Sequence, residues 1–242
     1  MMKKNLGATH ALRAVFAIRD KILSGQYSPG DRLGEVAIAE ELNISRTPVR
    51  DALSHLAGEG MLERASTGGF VIRDFGFDDI ADSIELRGIL EGTVARLAAE
   101  RGASKVRMNK LDKIILSIDE CFDTEKFKVN RTLYAERNAE FHEEFGKLSG
   151  SEVMERELSR VMKMPFASPS AFLSNKKESR AYYLELCTAQ QQHRDILLAI
   201  AKGQGTRAEA IARAHANLAM VSLGETLAIN PLKFTSQNSK SK

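Results

Sequence analysis

The sequence predicts a small α+β domain of three helices and a hairpin, followed by an all-α antiparallel helical bundle. Apolar residues recur at helical spacing through most of the 242 residues. Two short strand-like runs flank Gly68-Gly69, and no strand alternation is visible after Arg73. A chain of this length can hold two modest domains, each burying its own core. The expected division is 8–74 for the first domain, 75–230 for the bundle and 231–242 for a polar, disordered tail.

In the first domain, residues 10–24 carry Val15, Ile18, Ile22 and Leu23 on one helical stripe that stops at Gly25. Ser28-Pro29-Gly30 reads as a turn. Residues 33–42 make a short second helix with Ile38 and Leu42 inward. Ser45 is placed to cap a third helix, and Pro48 fits its first turn. The inward face of that helix is Val49, Ala52, Leu53 and Leu56, and Gly58 and Gly60 end it. Met61-Leu62-Glu63-Arg64 and Phe70-Val71-Ile72-Arg73 form the hairpin. Helix, helix, capped helix, hairpin is the order of a winged helix-turn-helix. Asp74-Phe75-Gly76-Phe77-Asp78-Asp79 connects it to helices expected near 79–101, 104–123, 130–149, 151–163, 177–203 and 206–229. Met164-Pro165 and Ser168-Pro169 interrupt the pattern between the fourth and fifth of these.

A hydrophobic content of 43% with 28% charged residues reads as a soluble globular chain. No apolar run approaches a membrane span, and the start Met-Met-Lys-Lys-Asn-Leu-Gly lacks the apolar core of a signal peptide. Cys121 and Cys187 have no CxxC spacing and read as reduced, buried thiols of a cytoplasmic protein. The net charge of +3 permits nucleic-acid binding without arguing for it.

The third helix is more specific. Successive helical residues advance by about 100°, so centring the buried face on Val49 gathers Arg46, Thr47, Arg50 and Ser54 on one exposed flank. That flank begins at the helix N-terminus, where free N–H groups attract phosphate. Arginine is shaped to take guanine O6 and N7 with forked hydrogen bonds, and Ser45 and Thr47 suit phosphate or sugar. A solvated face of charge pairs is the alternative, but two arginines four apart repel unless an anion sits nearby.

Ile22-Leu23-Ser24-Gly25, Pro29-Gly30-Asp31-Arg32-Leu33, Ser45-Arg46-Thr47-Pro48-Val49-Arg50-Asp51-Ala52-Leu53, Leu56, Glu59-Gly60 and Gly69-Phe70-Val71 together resemble the GntR family of bacterial transcription regulators. The resemblance spans about residues 10–73. It implies a winged helix reading a palindromic operator in double-stranded DNA as a homodimer, with Arg46 and Arg50 on bases. Arg32, Ser45, Thr47, Ser54, Gly68 and Gly69 complete the expected DNA-contacting set. Val36 stands where relatives often carry a basic residue, and Ser66-Thr67-Gly68-Gly69 at the hairpin tip has none.

After residue 100 three histidines occur, each on an apolar stripe. His142 lies beside Phe141 and Phe145, His193 with Leu186, Leu197 and Ile200, and His215 with Ile211 and Leu218. Asn138 precedes His142 by one turn. Imidazoles converging from three helices suit a divalent transition metal, zinc or nickel, with open positions for water or a carboxylate. The alternative is histidines hydrogen-bonded within a polar pocket. Arg87 falls on the stripe of Ile80, Ile84, Leu90, Val94 and Leu97, and a buried guanidinium requires a partner. Two partners are open to it: Glu91, one turn on, or an effector carboxylate.

Asn138-Ala139-Glu140-Phe141-His142, His193-Arg194-Asp195-Ile196-Leu197 and His215-Ala216-Asn217-Leu218 are similar to the FCD effector domain of the FadR-type GntR subfamily, over about residues 78–228. The resemblance implies that Asn138, His142, His193 and His215 hold a metal. With Arg87 they would bind a small carboxylate. Many members carry Asp at the position of Asn138, and a neutral amide donates less charge.

The expectation is therefore a cytoplasmic, non-enzymatic, ligand-responsive regulator, a repressor in most of the family. It would act as a homodimer on an operator, with no membrane partner. Two alternatives are a metal-free acid sensor and a constitutive DNA-binding dimer. A metalloenzyme tethered to DNA lacks support, because the sequence has no HExxH and no evident general base beside the histidines.

Overall fold

The computed structural model describes residues 2–66, 68–173 and 178–229. In chain order these form α1 (Met2–Leu23), β1 (Arg32–Leu33), α2 (Glu35–Leu42), α3 (Arg46–Gly58), β2 (Leu62–Arg64) and β3 (Phe70–Ile72). The second half follows with α4 (Phe77–Arg101), α5 (Lys105–Asp119), β4 (Phe122–Asp123), β5 (Lys128–Val129), α6 (Arg131–Gly146), α7 (Glu152–Val161), α8 (Arg180–Ala201) and α9 (Gly205–Ile229). The tail expected at 231–242 lies outside the described residues, as does Thr67.

The N-terminal domain is a winged helix-turn-helix with one more strand than expected. Leu33, read as the start of the second helix, sits instead on β1, which pairs antiparallel with β3 through Arg32↔Val71 and Leu33↔Phe70. The cause is the turn before it. Gly30 takes a left-handed φ of 88°, and the Asp31 carboxylate accepts from the Ser28 N–H at 2.7 Å. The chain is thereby sent back along the hairpin, and Gly34 stays extended so that α2 begins only at Glu35. Strand order is β1-β3-β2. Asn43, at φ 51°, ends α2 in the left-handed region that Asn tolerates, and α3 starts three residues later. Ser45 occupies the cap position with extended backbone, but its hydroxyl makes no capping hydrogen bond, contrary to its expected role.

The C-terminal half is a helical bundle, with one feature the sequence did not announce. β4 and β5 form a two-stranded antiparallel hairpin, Phe122↔Val129 and Asp123↔Lys128, at the junction where one helix was expected to run to 123 and the next to start at 130 with no strand between them. Two residues per strand are too few to show alternation. The tight turn depends on Phe127 at φ 51° and on the Asp123 carboxylate accepting from the Lys126 N–H at 3.0 Å. Along the centre of the bundle α4 runs against α9 at very close range. An added Cβ at Gly88 would lie 3.2 Å from the Ala216 Cβ, and one at Gly92 would lie 2.8 Å from the Arg213 side chain.

Two apolar cores result. One is built on bundle residues, among them Val94, Leu111, Ile118, Tyr134, Phe141, Leu186 and Ile200, with Leu12 and Phe16 of α1 packed against it. The other joins Val15, Ile18, Leu53, Leu56 and Phe70 of the winged helix to Ile80, Ile84, Phe166, Phe172 and Leu223 of the bundle. The winged helix is therefore packed onto the bundle through a shared core.

Gly60 marks this junction. Its φ is 68°, and a Cβ there would meet the Lys163 carbonyl at 2.7 Å. Gly60→Ala is expected to destabilise the protein by about 1–3 kcal/mol through left-handed strain and that clash. Denaturant unfolding checks it, and an unchanged midpoint would rule the contact out as a constraint.

Candidate functional site

On α3, burial of Val49, Ala52, Leu53 and Leu56 turns Arg46, Thr47 and Arg50 outward. The two arginine side chains are 61% and 58% exposed, enough to reach a partner. The anion that two like charges require is Glu35, the first residue of α2. Arg50 donates through Nε and Nη2 to its two oxygens at 2.8 and 2.9 Å, and Arg46 Nη2 donates at 3.3 Å. Hydrogen bonding from Arg50 outweighs desolvation and holds the Glu35 carboxyl down at about 2. Arg50 is thus oriented by one edge of its guanidinium while Nη1 remains on the other. Ser45 is exposed, and Ser54 is half-buried further along α3. Arg32 is exposed on β1, and Gly68 and Gly69 take left-handed φ values of 90° and 81° at the wing turn.

In the bundle, α6, α8 and α9 bring His142, His193 and His215 together, all buried. The Nε2 atoms face one another: His193 to His215 at 3.0 Å and His215 to His142 at 3.3 Å. Each Nδ1 meets an acceptor. Glu91 Oε1 lies 2.8 Å from His142, Gln190 Oε1 3.0 Å from His193, and Gln192 Oε1 3.1 Å from His215. The Gln190 amide is fixed that way round because its Nε2 donates to the Ile115 carbonyl at 3.0 Å and to Asp119 at 2.9 Å. The Glu91 carboxylate and the fixed Gln190 amide make Nδ1 the donor in His142 and His193, and Gln192 is placed to accept in the same way from His215, an arrangement that leaves the Nε2 lone pairs turned towards one another.

Asn138, one turn before His142, donates through Nδ2 to the Pro169 carbonyl at 3.2 Å. Its Oδ1 is buried without a hydrogen-bond partner. Three converging lone pairs and an orphaned amide oxygen are a donor set that fits a divalent transition metal. Burial, reinforced by the neighbouring imidazoles, drives His193 well below its ordinary value and His215 to about 3, so both stay neutral and able to ligate. Burial works against the Glu91 carboxylate, but His142 and Arg87 outweigh it and hold it at about 2.

A cavity of about 200 Å³ opens beside this cluster, bounded by Arg87, Asn138, His142 and His215 and by carbon-rich walls that include Phe172 and Leu218. His193 lies behind the other two histidines, at 0% exposure, and does not line it. Both partners considered for Arg87 have a place. Its Nε is 3.8 Å from Glu91 Oε2, and the side chain also lines the cavity. Nη1 and Nη2 donate to the Ala167 and Ala216 carbonyls at 2.9 and 3.1 Å, and each nitrogen keeps a second N–H. Sequence reasoning missed Glu35, Gln190 and Gln192. Only the repulsion between Arg46 and Arg50 hinted at the first.

Residues 11–72 match the model of bacterial regulatory proteins of the gntR family, and residues 82–218 match the FCD domain. The chain belongs to the GntR family and carries an FCD domain. It is thus a transcription regulator with a DNA-binding domain and an effector domain, in a family of non-enzymatic proteins. It is 27% identical over 215 residues to the HTH-type transcriptional regulator LutR of Bacillus subtilis, covering 80% of this chain and 92% of LutR. Similarity to the Nta operon transcriptional regulator of Aminobacter aminovorans is higher, 39%, but over 83 residues, 34% of this chain and 40% of that one. Among solved structures, E. coli McbR/YncC shares the fold, with a TM-score of 0.59, 18% identity, and coverage of 89% of this chain and 97% of its own. No helix among the described residues is long and apolar enough to cross a membrane.

The lowered values of His193 and His215 fix the sign of a pH effect. Folded protein keeps both imidazoles neutral below the ordinary 6.5, while the unfolded chain takes up protons there. Stability of the metal-free protein is expected to fall as pH drops from 6.5 towards 3, by up to about 1.4 kcal/mol per pH unit for each histidine. Denaturant unfolding at pH 7.5 and 5.5 measures it, and His193→Gln should flatten the difference. A midpoint equal at both pH values in the unsubstituted protein would contradict the buried neutral cluster.

Proposed function

We propose that the protein is a ligand-responsive repressor. It would bind a palindromic operator as a homodimer and sense a small organic acid in the bundle cavity with the help of a bound metal. The observation that carries this reading is a group of three convergent Nε2 atoms beside a carbon-walled cavity that is also lined by Asn138, whose buried oxygen has no partner. His142, His193, His215 and Asn138 would hold zinc or nickel. When bound, the metal supplies a Lewis-acidic centre with positions open to a carboxylate. Glu91 and the two glutamines orient the imidazoles, and Arg87 offers its remaining N–H groups to an acid's second oxygen. The cavity walls exclude water and bury the hydrocarbon part of the ligand.

On the DNA side, Arg50 and Arg46 would read bases at the N-terminal end of α3. Ser45, Thr47, Ser54, Arg32 and the Gly68-Gly69 backbone would supply phosphate and sugar contacts. Two such helices must match half-sites about one DNA turn apart, so a small change in the pose of each winged helix weakens binding. Such a regulator works in the cytoplasm. A metal-free sensor needs a proton shared among the Nε2 atoms, and the depressed values of His193 and His215 count against it. A constitutive dimer leaves unexplained why a core keeps a buried polar cluster where apolar side chains would be lower in free energy.

Arg50→Ala is expected to cost about 1–3 kcal/mol on an operator selected in vitro and to relax its base preference. Equal loss on random duplex would make Arg50 a phosphate contact instead. Elemental analysis of the purified protein should find stoichiometric zinc or nickel, which His193→Ala abolishes without altering the cavity wall. Metal retained in that variant would sink the ligand assignment. A thermal-shift screen of organic acids with and without chelator then separates metal-dependent sensing from the metal-free form.

A further inference from the structure

Four consecutive residues between α7 and α8, Ala167-Ser168-Pro169-Ser170, are held from two sides. From the bundle, Arg87 Nη1 donates to the Ala167 carbonyl at 2.9 Å and Asn138 Nδ2 to the Pro169 carbonyl at 3.2 Å. From the winged helix, Arg19 on α1 donates through Nη1 to the Ser170 carbonyl at 3.2 Å and through Nη2 to the Ser168 hydroxyl at 3.3 Å. Alternate residues of this strap therefore serve the cavity and the DNA-binding domain. The Ser170 hydroxyl adds a bond to the Ala135 carbonyl of α6, three residues before Asn138, at 3.3 Å.

Arg19 continues the path. Its Nη2 also donates to Glu59, the residue that follows α3. Glu59 in turn lies 3.3 Å from His55 Nε2 on α3 itself. Arg19 is 1% exposed and Glu59 7%, so this pair is withdrawn from water and cannot exchange its partners for solvent at low cost. Flanking residues stiffen the same junction. Phe166, fully buried, packs edge-on against Phe75 and stacks with Phe172, each at 5.7 Å.

We propose that the strap 167–170 couples the cavity to the recognition helix, with Arg19 as the positioning residue that receives the signal. Asn138 is the input. Its oxygen is the free atom of the proposed metal site, and its nitrogen holds Pro169. Turning the amide to engage a ligand moves the Pro169 carbonyl, and with it the Ser168 hydroxyl and Ser170 carbonyl that grip Arg19. Arg19 then shifts against Glu59 at the end of α3. The coupling rests on reading the cavity as the effector site.

Zinc alone is the probe, applied to the full chain as wild type, Ser168→Ala and Arg19→Lys. Lysine keeps a charge for Glu59, but a single ammonium cannot also span both strap contacts; Ser168→Ala removes one hydroxyl and spares the rest of the core. Zinc uptake is measured by calorimetry, and affinity for a selected operator with and without zinc. In wild type, zinc should change operator affinity by about fivefold or more, and operator should change zinc affinity by the same factor, as linkage requires. Amide exchange in α1 and α3 should respond as well. Both variants should still bind zinc within about twofold of wild type in the absence of DNA, with the mutual effect reduced below about twofold. Full coupling retained in either variant overturns the proposal, as does zinc binding to wild type without any change in operator affinity. If wild type takes up no zinc, the metal reading of the cavity fails first, and the coupling falls with it.

Discussion

One carboxylate buried at the centre of the bundle, Glu91, organises much of what surrounds it. At 1% exposure it is stable as an anion only because His142 and Arg87 face it. In return it fixes the His142 tautomer and anchors the Arg87 guanidinium, whose other nitrogens tie the Ala167 carbonyl and the Ala216 carbonyl of α9. Gly88 and Gly92 on the same helix let α9 approach closely enough for this, since a Cβ at either would press into Ala216 or Arg213. Removing one member of such a set leaves another charge buried alone, an effect of about 3–5 kcal/mol. The histidine cluster meets this anion through His142, and the cavity and the strap meet it through Arg87.

Stability and function pull in different directions here. Three imidazoles are packed with their Nε2 atoms 3.0 and 3.3 Å apart, and Asn138 Oδ1 forgoes a hydrogen bond, at about 1–3 kcal/mol for a buried acceptor. The glutamines and Glu91 hold that arrangement in place, so relaxation by rotating a ring is closed off. Strain that persists because its surroundings over-determine it points to a site prepared for something. The same logic applies on α3, where Glu35 satisfies Arg46 and Arg50 without burying them.

Legibility in the sequence followed the range of the interaction. The winged helix was readable because helical stripes, Gly30, Gly60 and the Gly68-Gly69 turn act within a few residues. The three histidines were readable because an apolar stripe says which way a side chain faces. β1 and the β4–β5 hairpin were not, since two-residue strands carry no period. Glu35 and Arg50 meet across 15 residues, and Gln190, like Gln192, is an ordinary helical glutamine until its neighbours are known. Pro165 and Pro169 read as breaks between helices, which they are. Nothing local told that the residues between them would touch both domains.

The amide at 138 gains meaning from the same strap. Read from sequence, Asn where many relatives carry Asp is a weaker donor. In the fold, the side chain faces the Pro169 carbonyl, an acceptor with nothing to donate. A carboxylate at that place would set oxygen against oxygen at hydrogen-bonding distance in a buried site, and it would have to turn away or take up a proton. The amide satisfies the carbonyl with its nitrogen and leaves its buried oxygen without a partner. Asn138 thus fits a site in which holding the strap matters as much as donating charge, and the residue that looked like a loss for metal binding is one that touches both the cavity and the strap.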